Sequence, residues 1–383
     1  MKFYPAFSSI LLAACVVPSS AQGNAYGQNK NKGPNGLKAK NCNGRGKCEV
    51  EMRDFDIENN NSVLELEVKG DGKVLRCEHK QGKSWNGKGK SWHGNCSGGG
   101  TANFIKTNEG VMAGSVVDLE TDEVCQLRAN ENSKKYEFEC KKSSEFPDEA
   151  DPVEEDGMES PESYDLTTRH LSEGQGNSKN PSNSHLRGKF LGIEDDHRRL
   201  ADDLGGNLDV MVLWTTKAEC RNSGFNQGCS LSSATKANME SLIDLAIDET
   251  NEAYTLSGVE TQLRLVHSYR QENYVENGFS PVLNAITGTT DGVLDDVHDK
   301  RELYGADIVA IIIDDPQYCG IAWLGPSKSN MFSVTAWNCA TGYYSFGHEI
   351  GHNMVRTIIL LFDFLPISRK PILTFPALLC LIL

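Results

Sequence analysis

What this 383-residue chain has little of narrows its class. Positive charge is short: 38 Lys and Arg against 53 Asp and Glu leave a net charge of −15, which argues against nucleic-acid binding as the main activity because a polyanion would be repelled. Long apolar runs are missing as well. The C-terminal apolar stretches 358–365 and 371–383 are split by Asp363, Pro366 and Arg369-Lys370, and neither reaches the about 20 residues of a membrane-spanning helix. A membrane partner is therefore not expected. Between Ser143 and His170 basic residues are nearly absent, with ten acidic side chains against one Arg among prolines and serines, too charged a composition to bury a core.

Cysteine, by contrast, is abundant. Twelve are many for a cytosolic chain and ordinary for an exported one. The N-terminus agrees: Lys2, an apolar run from Phe7 to Val17, then Pro18-Ser19-Ser20-Ala21 with small residues where a signal peptidase cuts. We expect a signal peptide over 1–21; Leu12-Ala13-Ala14-Cys15 also fits a lipoprotein signal, and either route crosses a membrane, so a secreted, extracellular location follows.

The rest divides by texture. Residues 22–40 read as a flexible basic leader. Residues 41–145 carry short alternating runs, such as Val63-Leu-Glu-Leu-Glu-Val68 and Lys135-Tyr-Glu-Phe-Glu-Cys140, and so predict a small disulfide-rich all-β domain with six cysteines, Cys42, Cys48, Cys77, Cys96, Cys125 and Cys140. Six allow fifteen pairings, which remain open, and leave no odd thiol to cap a metal. Two readings compete: a propeptide that folds against a catalytic domain, and a binding module that takes carbohydrate through Trp85 and Trp92 of the repeated Gly-Lys-Ser-Trp. Position upstream favours the propeptide. Residues 146–207 read as an acidic disordered linker in which the exposed pair Arg198-Arg199 is a processing site.

From 208 to 354 the pattern turns α/β. Leu208–Trp214 is a buried strand, Ser232 or Ser233 caps a helix to about Leu256, Leu263–Tyr269 alternates as a strand, and residues 291–304 are a helix stopped by Gly305. Residues 307–313 form a strand apolar on both faces, and a glycine-bracketed strand follows at 318–325. His267 and His298 read as structural. At the end stands Gly347-His348-Glu349-Ile350-Gly351-His352, the pattern H-E-x-x-H, with Ser345 as the expected N-cap. On a helix His348 and His352 share one face with Glu349 beside them, which suits a metal held by two imidazoles with an adjacent base: Zn2+ as cofactor, His348 and His352 as ligands, Glu349 as catalytic residue.

Four segments together resemble the metzincin zinc peptidases, and most the reprolysin (adamalysin) branch: Ala246-Ile-Asp-Glu-Thr-Asn-Glu-Ala-Tyr254, Gly305-Ala-Asp-Ile-Val309, Cys319-Gly-Ile-Ala-Trp-Leu324 and Gly342-Tyr-Tyr-Ser-Phe-Gly-His-Glu-Ile-Gly-His-Asn-Met354. The resemblance covers about 208–354 and implies an α/β metzincin-like catalytic domain, a mixed sheet with long helices whose C-terminal subdomain is missing. It implies that Gly320, Ile321, Ala322, Trp323 and Leu324 pair with substrate backbone, and that protein or peptide substrates are the partners. Cys220–Cys229 and Cys319–Cys339 are the pairs nearest in sequence for two disulfides. The likeness stops after Met354. The family has glycine at 355 and a third zinc histidine at 358, where this chain has Val355 and Ile358, and neither His nor Glu follows His352. Two imidazoles and waters hold zinc weakly. Because every valine codon begins GT, the apolar tail 355–383 reads as an intron translated in frame.

The function expected is a secreted zinc-dependent endopeptidase, hydrolysing peptide bonds through a metal-activated water and made as a latent precursor in which the propeptide contacts the catalytic domain. The alternative is a catalytically inactive secreted binding or decoy protein acting through its N-terminal β domain.

Overall fold

A computed structural model describes residues 36–43, 46–53, 57, 63–80, 89–130, 135–154 and 206–364. The signal segment, most of the leader, Trp85, the Arg198-Arg199 pair and the tail after 364 lie outside the described residues.

The first layer is a closed barrel of nine strands: β1 (Gly36–Lys40), β2 (Lys47–Arg53), β3 (Val63–Glu67), β4 (Leu75–His79), β5 (Gly89–Cys96), β6 (Thr101–Thr107), β7 (Met112–Asp118), β8 (Glu123–Ala129) and β9 (Tyr136–Lys142). The order is β1-β2-β9-β8-β7-β6-β5-β4-β3, closed by parallel pairing of β1 with β3. Closure needs β1, so the last five residues of the expected flexible leader are a strand instead. Their alternation explains it: Leu37 and Ala39 point inward and are 2% exposed, while Lys38 and Lys40 reach outward to Glu67 and Glu51.

The interior holds Leu64, Leu66, Trp92, Phe104, Leu127 and Phe138. Trp92 is buried against Phe104, which removes it as a carbohydrate platform. A Cβ on Gly94 would lie 2.2 Å from the Trp92 ring, so the glycine is a condition of that packing. Two disulfides join residues directly opposite on neighbouring strands, Cys77–Cys96 across β4/β5 and Cys125–Cys140 across β8/β9, and Cys42–Cys48 closes the β1–β2 turn.

The second layer has a six-stranded mixed sheet, β10-β14-β15-β13-β11-β12. In chain order its elements are β10 (Val153–Glu154), β11 (Asn207–Thr215), α1 (Thr216–Asn222), α2 (Ser233–Leu256), β12 (Gln262–Gln271), α3 (Phe279–Thr287), α4 (Asp296–Tyr304), β13 (Ile308–Ile313), β14 (Gly320–Leu324), β15 (Phe332–Ala336) and α5 (Ser345–Phe364). Strand β11 runs parallel to β12 and β13, and β13 to β15, while β14 is antiparallel to β15.

The central strand β13 shows why its sequence reads apolar throughout. Ile308, Ala310 and Ile312 pack on one face with α2 and α5, and Val309, Ile311 and Ile313 on the other with α3. Helix α2 starts where Ser232 accepts from Thr235 N and Thr235 returns a bond to Ser232 N. Helices α1 and α3 were not expected; each is under ten residues, too short for a clear period, and α3 carries Pro281 in its first turn. The helix expected from 291 begins at Asp296. Cys220–Cys229 and Cys319–Cys339 are bonded, and no free cysteine occurs among the described residues. Linker residues 146–154 are ordered against the sheet, and β10 is its outermost strand. No helix among the described residues is long and apolar enough to cross a membrane.

Candidate active site

Helix α5 is fixed to the core through Phe346, Ile350 and Met354, spaced four apart on one face and buried with β11, β13 and α2. It crosses α2 closely: a Cβ on Gly347 would stand 2.8 Å from Thr250 Oγ1, and Tyr254 OH donates to Gly347 O at 3.4 Å. Asn353 Nδ2 donates to Trp323 O (2.8 Å) and Phe332 O (3.2 Å), and Gly325 N to His352 O (2.9 Å), which ties the helix to β14 and β15. Ser345, expected as N-cap, is the first helical residue; Tyr344 before it is left-handed at φ 66°.

On that rigid frame His348 Nε2 and His352 Nε2 converge to 3.0 Å, and one ligand atom each of His348, Glu349 and His352 lies within 4.8 Å of the others. Burial lowers both imidazoles to about 4, with His352's charge adding to the effect on His348, so at neutral pH both are uncharged with lone pairs available. The Glu349 side chain is fully buried and neither oxygen has a hydrogen-bond donor; His352 Nδ1 is likewise without a partner. Burial pushes the Glu349 carboxyl well up, and Glu149's charge adds to it. Two convergent neutral imidazoles beside an unsatisfied buried carboxyl are a donor set that fits a catalytic metal.

The residues expected to bind substrate form β14, with Gly320, Ile321 and Ala322 buried and Trp323 and Leu324 half-buried. Gly320 is required: a Cβ there would lie 2.3 Å from Glu349 Oε1. One edge of β14 pairs with β15. The other is taken by the chain following the barrel: Cys319 N donates to Asp148 O and Ala150 N to Gly320 O, both at 3.0 Å, and Val153 and Glu154 pair with Trp323 and Leu324. Phe146 stacks on Tyr343 at 4.6 Å. Between these anchors the Glu149 carboxyl accepts from Ser345 Oγ, and burial raises it to about 7.

The motif 246–254 sets the surroundings. Glu249 accepts from Gly342 N (2.7 Å) in the turn before α5 and from Ser115 Oγ of the barrel; burial raises it to about 7. Asp248 pairs with His93 of the barrel at 3.1 Å, and Asn251 bonds Leu263 N and O on β12. Further barrel contacts reach the same turn: Gln126 Nε2 donates to Thr341 O (2.6 Å) and Asn103 Nδ2 to Tyr344 OH (3.2 Å). His298 bonds Gly288 O and His267 stacks on Tyr304, as structural residues would. Sequence reasoning missed Glu149, Ser115 and His93. Only the apolar Phe146 and Ala150 beside Glu149 distinguished that stretch from a solvated spacer.

Residues 240–356 match the family profile of the metallo-peptidase family M12B, reprolysin-like. A peptidyl-Asp metalloendopeptidase of Stenotrophomonas maltophilia is 35% identical over 177 residues, 45% of this chain and 39% of that protein. A second, of Xanthomonas campestris pv. campestris, is 42% identical over 117 residues, 30% of this chain and 28% of that one. The chain thus spans well under half the length of these relatives. Residues 240–356 are thus similar to a reprolysin-like metallopeptidase, and the catalytic metal that this family implies falls to residues that the fold brings together.

Proposed function

We propose that this chain is the precursor of a secreted zinc-dependent endopeptidase, and that the barrel with its following segment keeps it latent. The observation that carries this is the convergence of His348 and His352 beside buried Glu349, next to a strand, β14, whose outer edge is already paired with residues 148–154. His348 and His352 would hold the metal by Nε2. Zinc when bound supplies Lewis acidity and a water whose pKa falls to about 7. Glu349 takes a proton at its carboxylate and returns it to the leaving nitrogen, a role suited to a buried carboxyl with raised proton affinity. Strand β14 holds the substrate in extended form by its free edge once residues 148–154 have left. The name of the relatives, peptidyl-Asp metalloendopeptidase, points to peptide bonds at aspartate as substrates. Arg198-Arg199 is the proposed cut that starts activation.

The experiment is cleavage of a denatured protein by the intact chain and by chain cut after Arg199 and freed of residues 36–154, each with and without a chelator, with product ends sequenced. Chelator-sensitive cleavage by the freed form supports the reading. Its absence, with correct folding, removes it in favour of the binding or decoy protein.

A further inference from the structure

Strand β14 is tied to helix α5 at both of its ends. At its start, Gly320 leaves the space that the Glu349 carboxyl fills. At its end, Gly325 N donates to His352 O (2.9 Å), and the Asn353 side chain reaches the strand backbone. Glu349 and Asn353 are four residues apart and so share the helix face that lies on β14. What Asn353 does there follows from the register. Strands β14 and β15 pair Gly320 with Thr335, Ile321 with Val334 and Ala322 with Ser333, and one further step would set Trp323 opposite Phe332. The ladder stops short of that pair. Instead the Asn353 amide stands between the two backbones: Nδ2 donates to Trp323 O at 2.8 Å and to Phe332 O at 3.2 Å. Both neighbours are carbonyls, so only the NH2 side of the amide can face them. Asn353 is 1% exposed and its Oδ1 is buried without a partner, so the side chain is held by these two donations. An apolar side chain of the same size would take a donor from both carbonyls, and a carboxylate would set like partial charges against them.

We propose that Asn353 is a positioning residue: it ends the β14–β15 ladder at Ala322 and locks the end of β14 onto helix α5, so that a peptide paired along β14 lies in one alignment with His348 and His352. This rests on the metallopeptidase reading of those histidines and on β14 as the substrate strand. Asn353 acts only through the backbone it holds. A slip of about 1 Å between strand and helix is enough to cost on the order of a hundredfold in rate, because the reacting carbonyl then sits off the line of attack.

The test is amide hydrogen exchange of the intact chain, read at Gly325 and along β14, for the unsubstituted protein, Asn353→Leu, Asn353→Asp and Ile350→Val. The two Asn353 variants lose both donors with opposite polarity, and Ile350→Val is a packing change on the same helix. Each protein is read equally far below its own melting temperature, which removes differences in global stability. Zn2+ affinity is titrated in parallel, and kcat and KM are measured on chain cut after Arg199. Both Asn353 variants are expected to exchange at least about tenfold faster at the end of β14 than Ile350→Val, to bind Zn2+ as the unsubstituted chain does, and to lose roughly ten- to a hundredfold in kcat with KM little changed. Exchange at Gly325 no faster than in Ile350→Val, or a loss carried by KM or by Zn2+ affinity instead of kcat, overturns the role of Asn353. Failure of the unsubstituted chain to bind Zn2+ or to cleave overturns the metallopeptidase reading alone, and the exchange comparison still decides whether Asn353 holds the end of β14.

Discussion

The barrel and the second layer are held together by opposite means. In the barrel eight of the nine pairings are antiparallel, two disulfides cross between opposed residues, and the core closes on itself around Trp92, Phe104 and Phe138. In the second layer most strands are parallel, and buried carboxyls, Glu249, Asp248 and Glu349, are left unsatisfied by local structure or are satisfied from elsewhere. The contrast teaches that the barrel satisfies its buried groups largely within itself, whereas the second layer takes partners for its buried groups from the barrel.

The largest expected effect is chemical. Glu349→Gln in the freed form lowers chelator-sensitive cleavage by roughly 10² to 10⁴ while metal is retained, read from initial rates and bound zinc. Thermal stability holds or rises, since a buried acid without a donor is removed. Trp92→Ala then tests whether the barrel stands alone: it costs about 3–5 kcal/mol of barrel stability, read by chemical denaturation. If the metal site of the intact chain is lost at the same denaturant concentration, the two layers form one cooperative unit and the contrast fails. Opening Cys125–Cys140, a separation of 15 residues, costs about 3 kcal/mol on the same reading.

The borrowed contacts come next. Ser115→Ala leaves Glu249 short of a donor and costs about 1–3 kcal/mol, read from the melting of the intact chain. Their pH dependence has one sign. Burial lowers His93, but the hydrogen bond and charge of Asp248, with Glu252 and Asn103, outweigh it and raise His93 to about 9, so its contribution is complete below about 6.5 and lost as pH rises through 9. Burial raises Glu249 to about 7, so its protonated form favours the folded state below its ordinary range and that advantage fades by pH 7. The contact between layers therefore weakens from about pH 4.5 to 9, and His93→Gln flattens the upper part of that profile. Smallest is Lys80→Ala at the partly exposed pair with Glu252: under about 1 kcal/mol, and less in high salt.

Much of the frame was legible because it rests on local pattern. The Ser232 cap, the apolar run of β13, the glycine-bracketed β14 and the four-residue spacing of His348 and His352 each announce themselves within a few residues. The short helices α1 and α3 did not, having too few turns to show a period. Strand β1 was hidden in a basic stretch because only two of its five side chains point fully inward alongside glycine, too few to register as alternation without knowing where the barrel closes.

By itself the sequence determined that two imidazoles and a carboxyl would lie side by side, since the helical repeat permits nothing else, and that six cysteines would serve a β domain. Tertiary structure alone decided what meets them. That Gly320 leaves room for Glu349, that Ser115 and His93 answer Glu249 and Asp248, and that an acidic spacer residue, Glu149, meets Ser345 at the start of α5 are contacts between residues tens to hundreds of positions apart. A hydrophobic period records which face a side chain takes, not which distant backbone edge is open to it, and β14 had an edge to offer.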